Sequence, residues 1–434
     1  MKKNLGNIPK MVDKSRLWLL AVCYCLFFSV LGGCDDDDKS VPQHDPDLPV
    51  TVAEVFPDSG RIIDPIIIHG SNFGTDKSKI KVFFDDKEAA ILTAENEHLY
   101  VLNPKQKGGM HEVKVVVGGK EAVAPQQFKY LISASVYTVA GTGAYDVIDG
   151  NALEAAFGRP QYLAIDDQGN LIVVDRSDWV RLVSIEERKV KTIHTASDVY
   201  GCCFSPDYNT LYVGVEGKRR VGYSFQRNTN WAVSSLINDG TLDYTCDLAT
   251  IGNGDIITVS YYQLVGKVDK NTHALKVLGE FDTDLAGDKA ADFHMTYNPY
   301  DRMMYVSSTV THVIFRFDPY KESLTNDDFE LYAGIVERAG YMDGNIAQAT
   351  FNLPGQMAFD EDGNMLVADR GNHVIRMITP EGVVSTFAGS EKGDADGKPE
   401  EAKFNAPEGI TIAPDGLVYV GERNGRKIRC IAIQ

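Results

Sequence analysis

Of the seven cysteines in this 434-residue chain, four follow residue 34, at 202, 203, 246 and 430, and their spacing matches no zinc-ligand pattern. Adjacent Cys202 and Cys203 can hardly pair with each other, so buried free thiols are expected. A basic stripe is also missing: 43 Lys and Arg against 61 Asp and Glu give a net charge of −18. Such a chain repels phosphate backbones, which excludes nucleic acid as a partner. Neither a phosphate loop nor a nucleophile elbow occurs. The apolar run Leu17–Leu31 is 15 residues long, short of the roughly 20 that cross a bilayer as a helix. What is present is ordinary core material: 44% hydrophobic residues suit a well-packed globular protein, and the length favours two domains.

The first 16 residues carry Lys2, Lys3, Lys10, Lys14 and Arg16 against the single acid Asp13. With the apolar run and Gly32-Gly33 behind them, they have the layout of an export signal over residues 1–33. Leu31-Gly32-Gly33-Cys34 resembles the bacterial lipobox, and the resemblance implies cleavage before Cys34 and a lipid on it. Asp35 to Asp38 resemble the tract that sends lipoproteins of some gut-type Gram-negative bacteria to the outer face of the outer membrane. A solvated spacer is the plainer alternative. Residues 34–49, with Pro42, Pro46 and Pro49, are expected to form a lipidated acidic tether. Losing residues 1–33 removes five basic residues and one acidic, so the mature chain is more acidic still. Its lipid would anchor it to the membrane without a span.

Residues 50–130 contain short alternating strands at 50–53, 66–68, 81–84 and 113–117, broken by Gly, Pro and Asn, which predicts a small β-sandwich. Three pieces carry a resemblance: Phe56-Pro57-Asp58-Ser59-Gly60, Ile68-His69-Gly70-Ser71-Asn72-Phe73-Gly74 and Gly108-Gly109-Met110-His111-Glu112-Val113. Together they resemble the IPT/TIG domain, an immunoglobulin-like fold that in bacterial surface proteins usually serves as a spacer. Gly70 and Gly74 are expected to let the chain turn around a buried Phe73. His69, His98 and His111 are scattered in the sequence and are expected to be exposed, not a metal site.

Residues 135–434 repeat themselves. Val139-Ala140-Gly141 leads to Asp149-Gly150, Phe157 and Pro160. Tyr332-Ala333-Gly334 leads to Asp343-Gly344, Phe351 and Pro354, and Phe387-Ala388-Gly389 to Asp396-Gly397, Phe404 and Pro407. Each segment is followed by a turn and an apolar strand, residues 171–175, 365–369 and 417–422, and the pattern resembles the NHL repeat of β-propellers. Three degenerate units have central strands at 211–214, 255–259 and 303–306, which makes a six-bladed propeller. The last unit ends after its third strand, 427–433, while residues 135–140 match the outer strands. The first strand is therefore expected to complete the sixth blade and to remove two open edges. The fold class is all-β: a small immunoglobulin-like sandwich, then a six-bladed propeller closed by its N-terminal strand.

In a propeller, loops joining second to third strands share one face with loops between blades. The between-blade loops 140–158, 333–352 and 388–405 are long, and such length signals binding or flexibility. Aligning the units puts Asp175, Asp369 and Glu422 at one position, with Trp179, His373 and Arg426 four residues on. The degenerate units contribute Glu216 and Arg219, Tyr261 and Tyr262, and Thr309 and His312. The ligand-binding candidates are Trp179, Arg219, Tyr261, Tyr262, His312, His373 and Arg426: aromatics to stack on a sugar ring, charged groups to bond its hydroxyls. Packing between blades is an equal alternative for Trp179. Asp175 and Asp369 are expected to cap the hairpin turn by accepting backbone N–H groups, and Asp149, Asp343 and Asp396 to form turns, not to bind calcium. His194, His273, His294, His312 and His373 show no characteristic spacing. No catalytic residue, metal site or cofactor is assigned.

The order of lipid signal, acidic tract, IPT/TIG domain and NHL repeats resembles cell-surface lipoproteins that accompany polysaccharide-uptake systems. The resemblance implies a non-catalytic glycan- or polysaccharide-binding role at the outer membrane, facing the exterior, beside a transporter complex. Two alternatives stay open: a metal-assisted propeller lyase or hydrolase, and a protein-interaction scaffold or adhesion factor.

Overall fold

Alternating apolar residues build the strands of residues 50–130. The computed structural model describes residues 43–175, 178–215, 221–237, 242, 244–287 and 292–433. Ile66 and Ile68, Val82 and Phe84, Leu99 and Val101, and Val113, Val115 and Val117 are all fully buried, the period-2 mark of strands with one face on a core. They belong to two four-stranded sheets. One runs Thr51–Phe56, Pro65–Ser71, His98–Leu102, Ala90–Ala94; the other runs Lys120–Val123, Val113–Val117, Ile80–Phe84, Lys87–Glu88. A Cβ on Gly70 would come 2.0 Å from Thr51 O and 2.4 Å from the buried Phe73 ring, and Gly74 has φ +72°, so both positions demand glycine. The histidines differ from expectation. His69 and His98 face each other across paired strands with ring centroids 4.8 Å apart, because strand register joins what sequence separates. His111 is buried, with Nδ1 2.7 Å from the Asp85 carboxylate and Nε2 2.7 Å from the Lys107 carbonyl.

The chain divides between Tyr130 and Leu131, and the second unit is a ring of six antiparallel blades. Their inner strands, in order from blade 1 to blade 6, are Pro160–Ile165, Val199–Phe204, Thr245–Thr250, Phe293–Tyr297, Pro354–Phe359 and Pro407–Ile412. Each packs on the next and the last packs on the first. The second strands Leu171–Asp175, Met304–Ser308 and Met365–Asp369 are buried at every residue, since each sheet is covered on both faces by its neighbours. The degenerate units supply full second strands at Thr210–Val215, Ile256–Ser260 and Met304–Ser308. Closure follows the expected route: Ala134–Ala140 pairs antiparallel with Lys427–Ile433, Val136 opposite Ile431 and Tyr137 opposite Cys430. Cys202, Cys203, Cys246 and Cys430 are free thiols.

The long loops are tied down, contrary to the flexibility their length suggests. Gly150–Asn151 pairs with Val190 and Lys189, and Gly344–Asn345 with Val384 and Val383, which adds a fifth strand outside blades 1 and 5. Phe157, Phe351 and Phe404 within these loops are fully buried. Much of their length goes into reaching the outer edge of the blade.

Candidate functional site

Strand order places the second-to-third-strand turns and the between-blade loops on one face of the ring. In blades 1, 5 and 6 that face is organised by a fully buried arginine on the third strand: Arg181, Arg376 and Arg429. Arg181 donates to the carbonyls of Ala156 at 3.0 Å and Ile148 at 2.9 Å, and to Asp149 at 2.8 Å. Arg376 reaches Thr350 O, Met342 O and Asp343 in the same way, and Arg429 reaches Lys403 O, Ala395 O and Asp396. The guanidinium groups lie over Phe157, Phe351 and Phe404 at 5.0 to 5.3 Å. The Asp-Gly and Phe signatures of the repeat are thus parts of an arginine clamp, and Asp149, Asp343 and Asp396 are ion-pair partners as well as turn residues. In the same register the degenerate blades carry Tyr223, Gly266 and Phe315, which cannot form these pairs.

Asp175, Asp369 and Glu422 are buried and accept backbone N–H groups, from Gly158 at 2.6 Å, Asn352 at 2.8 Å and Asn405 at 2.7 Å. Capping of the hairpin turn is therefore too local a reading. Each carboxylate holds the loop entering its own blade, 17 residues earlier.

The sequence alignment of the turns is off by one residue in blade 1. Asp175 pairs with Trp179, whereas Asp369 pairs with Val374 and Glu422 with Lys427. Trp179, half-buried, therefore matches Val374 and Lys427. Asp178, at φ +77°, stands where His373 (φ +62°) and Arg426 (φ +56°) do. His312 and His373 stitch blades together: their Nδ1 atoms accept from Leu353 N at 3.1 Å and Ala406 N at 3.0 Å in the next blade. Arg426 donates to Gly143 O at 3.4 Å and covers the Tyr145 ring at 5.0 Å. Tyr261 packs on the core of blades 3 and 4, while Tyr262 is 59% exposed and stands 5.6 Å from Tyr244. Of these candidates only Tyr261 and Tyr262 share a turn; the others are spread one per blade. Cys34, Glu216 and Arg219 lie outside the described residues.

At the axis of the ring the structure assembles a cluster that sequence reasoning passes over. Arg370 and Arg423 directly follow the repeated carboxylates of blades 5 and 6, and both donate to Glu408, Arg423 at 3.1 Å. Gln161 Nε2 donates to the other Glu408 oxygen at 3.0 Å. Asp292, one residue ahead of the inner strand of blade 4, lies 3.9 and 4.0 Å from the two guanidinium groups, and His294 Nε2 is 3.8 Å from Glu408. Glu408 and His294 are fully buried, whereas Arg370, Arg423 and Asp292 keep a little solvent access. Burial favours the protonated Glu408, but the Arg370 and Arg423 guanidinium groups outweigh it and hold the carboxyl below its usual range. Burial pushes His294 down to about 4, so its imidazole is neutral at physiological pH.

One position deeper on the inner strands, Asp247 accepts Met295 N at 2.7 Å and Leu248 N at 2.8 Å, and burial pushes its carboxyl up to about 8. Tyr162 donates to Cys246 O at 3.2 Å, and its ring lies 4.9 Å from His294. Gln356 accepts from Leu163 N and Ile410 N at 3.0 Å. These side chains fill the channel floor beneath the charged cluster. Among the described residues no three of His, Cys, Asp and Glu are grouped to hold a metal ion. A signal was there to be read: arginine follows the repeated carboxylate in Asp175-Arg176, Asp369-Arg370 and Glu422-Arg423, and Glu408 adjoins the repeat marker Pro407.

Residues 50–130 match the model of the IPT/TIG domain, and residues 222–399 match that of the Teneurin NHL domain. A Bacteroides thetaiotaomicron protein of unknown function is 27% identical; the match covers 90% of this chain and 100% of that one, with a TM-score of 0.77. A second protein of that organism, described as an auxiliary nutrient binding protein, is 25% identical over 90% of this chain and 99% of its own, with a TM-score of 0.63. NHL repeat-containing protein 2 of Gallus gallus is 35% identical over 84 residues, 19% of this chain and 11% of that protein. The chain spans no more than 27% of the length of the curated relatives it matches.

Proposed function

We propose that this chain, an IPT/TIG domain followed by an NHL-type propeller, is a non-catalytic nutrient-binding lipoprotein of the outer cell surface. Its ligand is a glycan or polysaccharide, held on the long-loop face in support of an uptake system. The observation that carries this reading is the likeness, over nine-tenths of the chain, to a protein described as an auxiliary nutrient binding protein. Exposed Tyr262 beside Tyr244 offers stacking surface on that face, and the arginines and Asp292 at the axis offer bonds to hydroxyls. The lipobox-like Leu31-Gly32-Gly33-Cys34 and the aspartates after it support the location.

A second reading, a propeller lyase or hydrolase, is favoured by the meeting of His294, Glu408 and Asp292 at the axis. Against it, Glu408 is held by two arginines and a glutamine, and neither Glu408 nor His294 reaches solvent. Affinity gel electrophoresis over a polysaccharide panel, with product analysis with and without chelator, separates the readings. Retardation without product is expected. Chelator-sensitive product would move the assignment to the enzyme, and neither retardation nor product would sink the glycan reading.

A further inference from the structure

The immunoglobulin-like domain buries a titratable side chain that the propeller leaves unused. His111 ends the strand Gly109–His111 and is 6% exposed, and each of its ring nitrogens lies 2.7 Å from an oxygen. Nδ1 meets the Asp85 carboxylate, in the turn between Ile80–Phe84 and Lys87–Glu88; Nε2 meets the Lys107 carbonyl, in the loop that leads to its own strand. From the strand Phe128–Tyr130 the Tyr130 ring approaches edge-on, with centroids 6.2 Å apart. Burial raises the Tyr130 phenol, so that neighbour stays neutral. Exposed Glu112, the next residue, turns its backbone N–H to the other Asp85 oxygen at 2.8 Å.

A carbonyl oxygen can only accept. Asp85 could donate only if protonated, but the bond from His111, more than any other influence, holds its carboxyl below the ordinary carboxylate value. Asp85 is therefore an anion at neutral pH. A neutral imidazole has one N–H and one lone pair. Either tautomer would leave that lone pair 2.7 Å from an oxygen lone pair, away from water that could relieve the contact. The imidazolium donates to both. It then ties the loop 103–108 to the Asp85 turn, beside the bond that Gln106 Nε2 donates to Phe84 O. The start of that loop is fixed separately, by buried Asn103 donating to Arg61 O at 2.8 Å.

We propose that His111 is a pH-sensitive latch of the immunoglobulin-like domain. As an imidazolium it pins the loop 103–108 to the Asp85 turn. As pH rises, the Nε2 proton passes to solvent, Nδ1–H stays on Asp85, and the Lys107 carbonyl loses its donor, so the loop opens. Acid keeps the loop closed, down to the pH at which Asp85 itself takes up a proton.

Asp85→Asn distinguishes this latch from a histidine that is simply buried. An amide N–H in place of the oxygen facing Nδ1 would donate to it, so a neutral ring would satisfy both neighbours at every pH. The full chain, isotope-labelled at its histidine ring nitrogens, is followed by NMR from about pH 5.5 to about pH 9. His111→Gln identifies the His111 signals. Deuterium exchange of residues 103–110 is read over the same range by mass spectrometry, corrected for the intrinsic effect of pH on exchange. Both His111 nitrogens should carry protons at the acid end and only Nδ1 at the alkaline end. Protection of the loop should fall about tenfold or more over the same step, as for loss of a hydrogen bond from a charged donor. Asp85→Asn should keep the loop protected with no such step. A His111 ring with one proton throughout, or loop protection that ignores the ring's titration, would overturn the latch. So would an Asp85→Asn chain that melts like the parent and keeps the parent's step.

Discussion

Arg376 is fully buried between the exposed Asp343, at 2.5 Å, and the buried Asp369, at 3.2 Å, so its loss strands the Asp369 carboxylate inside the blade. Arg376→Met is expected to cost roughly 3–5 kcal/mol in urea unfolding, whereas Lys81→Met, which breaks an exposed pair with Glu88, should cost about 1 kcal/mol or less. Equal losses would contradict the clamp. Asp247 makes a prediction with a definite sign. Its carboxyl is raised from 3.8 to about 8 by burial, so the folded chain holds a proton that the unfolded chain has released. Stability then falls as pH rises between those two values. Asp247→Asn carries no such proton, and the parent should lose on the order of 3 kcal/mol relative to it between pH 5 and 8. Parallel pH profiles for the two proteins would refute the assignment. Such partners were hard to read in the sequence. Arg181, Arg376 and Arg429 recur visibly, but that each reaches back to an Asp-Gly more than thirty residues earlier depends on the loop's path.

The closing strand is the element on which the ring depends. Val136 is buried opposite Ile431 and belongs to the core shared with Leu366, Ile375 and Val420. Val136→Asp puts an unpaired charge there. It should lower the unfolding midpoint sharply and release Lys427–Ile433 as an open edge, seen as aggregates by light scattering. A monomeric, parent-like melt would show that the strand is dispensable. This closure was legible, because a unit that ends one strand short and a spare strand at the start are both visible as pattern. The turns were less so. Blade 1 is one residue shorter between Asp175 and Trp179, and a gapless alignment cannot register that. It paired Trp179 with His373, and it could not show that His312 and His373 accept backbone bonds from neighbouring blades.

At the scale of the whole molecule the order of parts carries the proposed reading: a leading stretch with the residue pattern of an export signal ending at Cys34, an IPT/TIG domain, then the propeller. Cys34→Ala should move the protein from the membrane pellet to the soluble fraction of cells; retention in the pellet would argue against the lipid anchor. Domain identity was legible from glycines and repeat motifs. The axis cluster was not, since Arg370, Arg423, Glu408 and Asp292 come from three blades that meet only when the ring closes. The most direct test of binding on the long-loop face is amide hydrogen exchange of the full chain, with and without the polysaccharide that retards it most strongly. Slower exchange is expected in the turns at 261–264, 370–373 and 423–426 and in the between-blade loops beside them. Protection confined to residues 50–130, or to the opposite face of the ring, would contradict it.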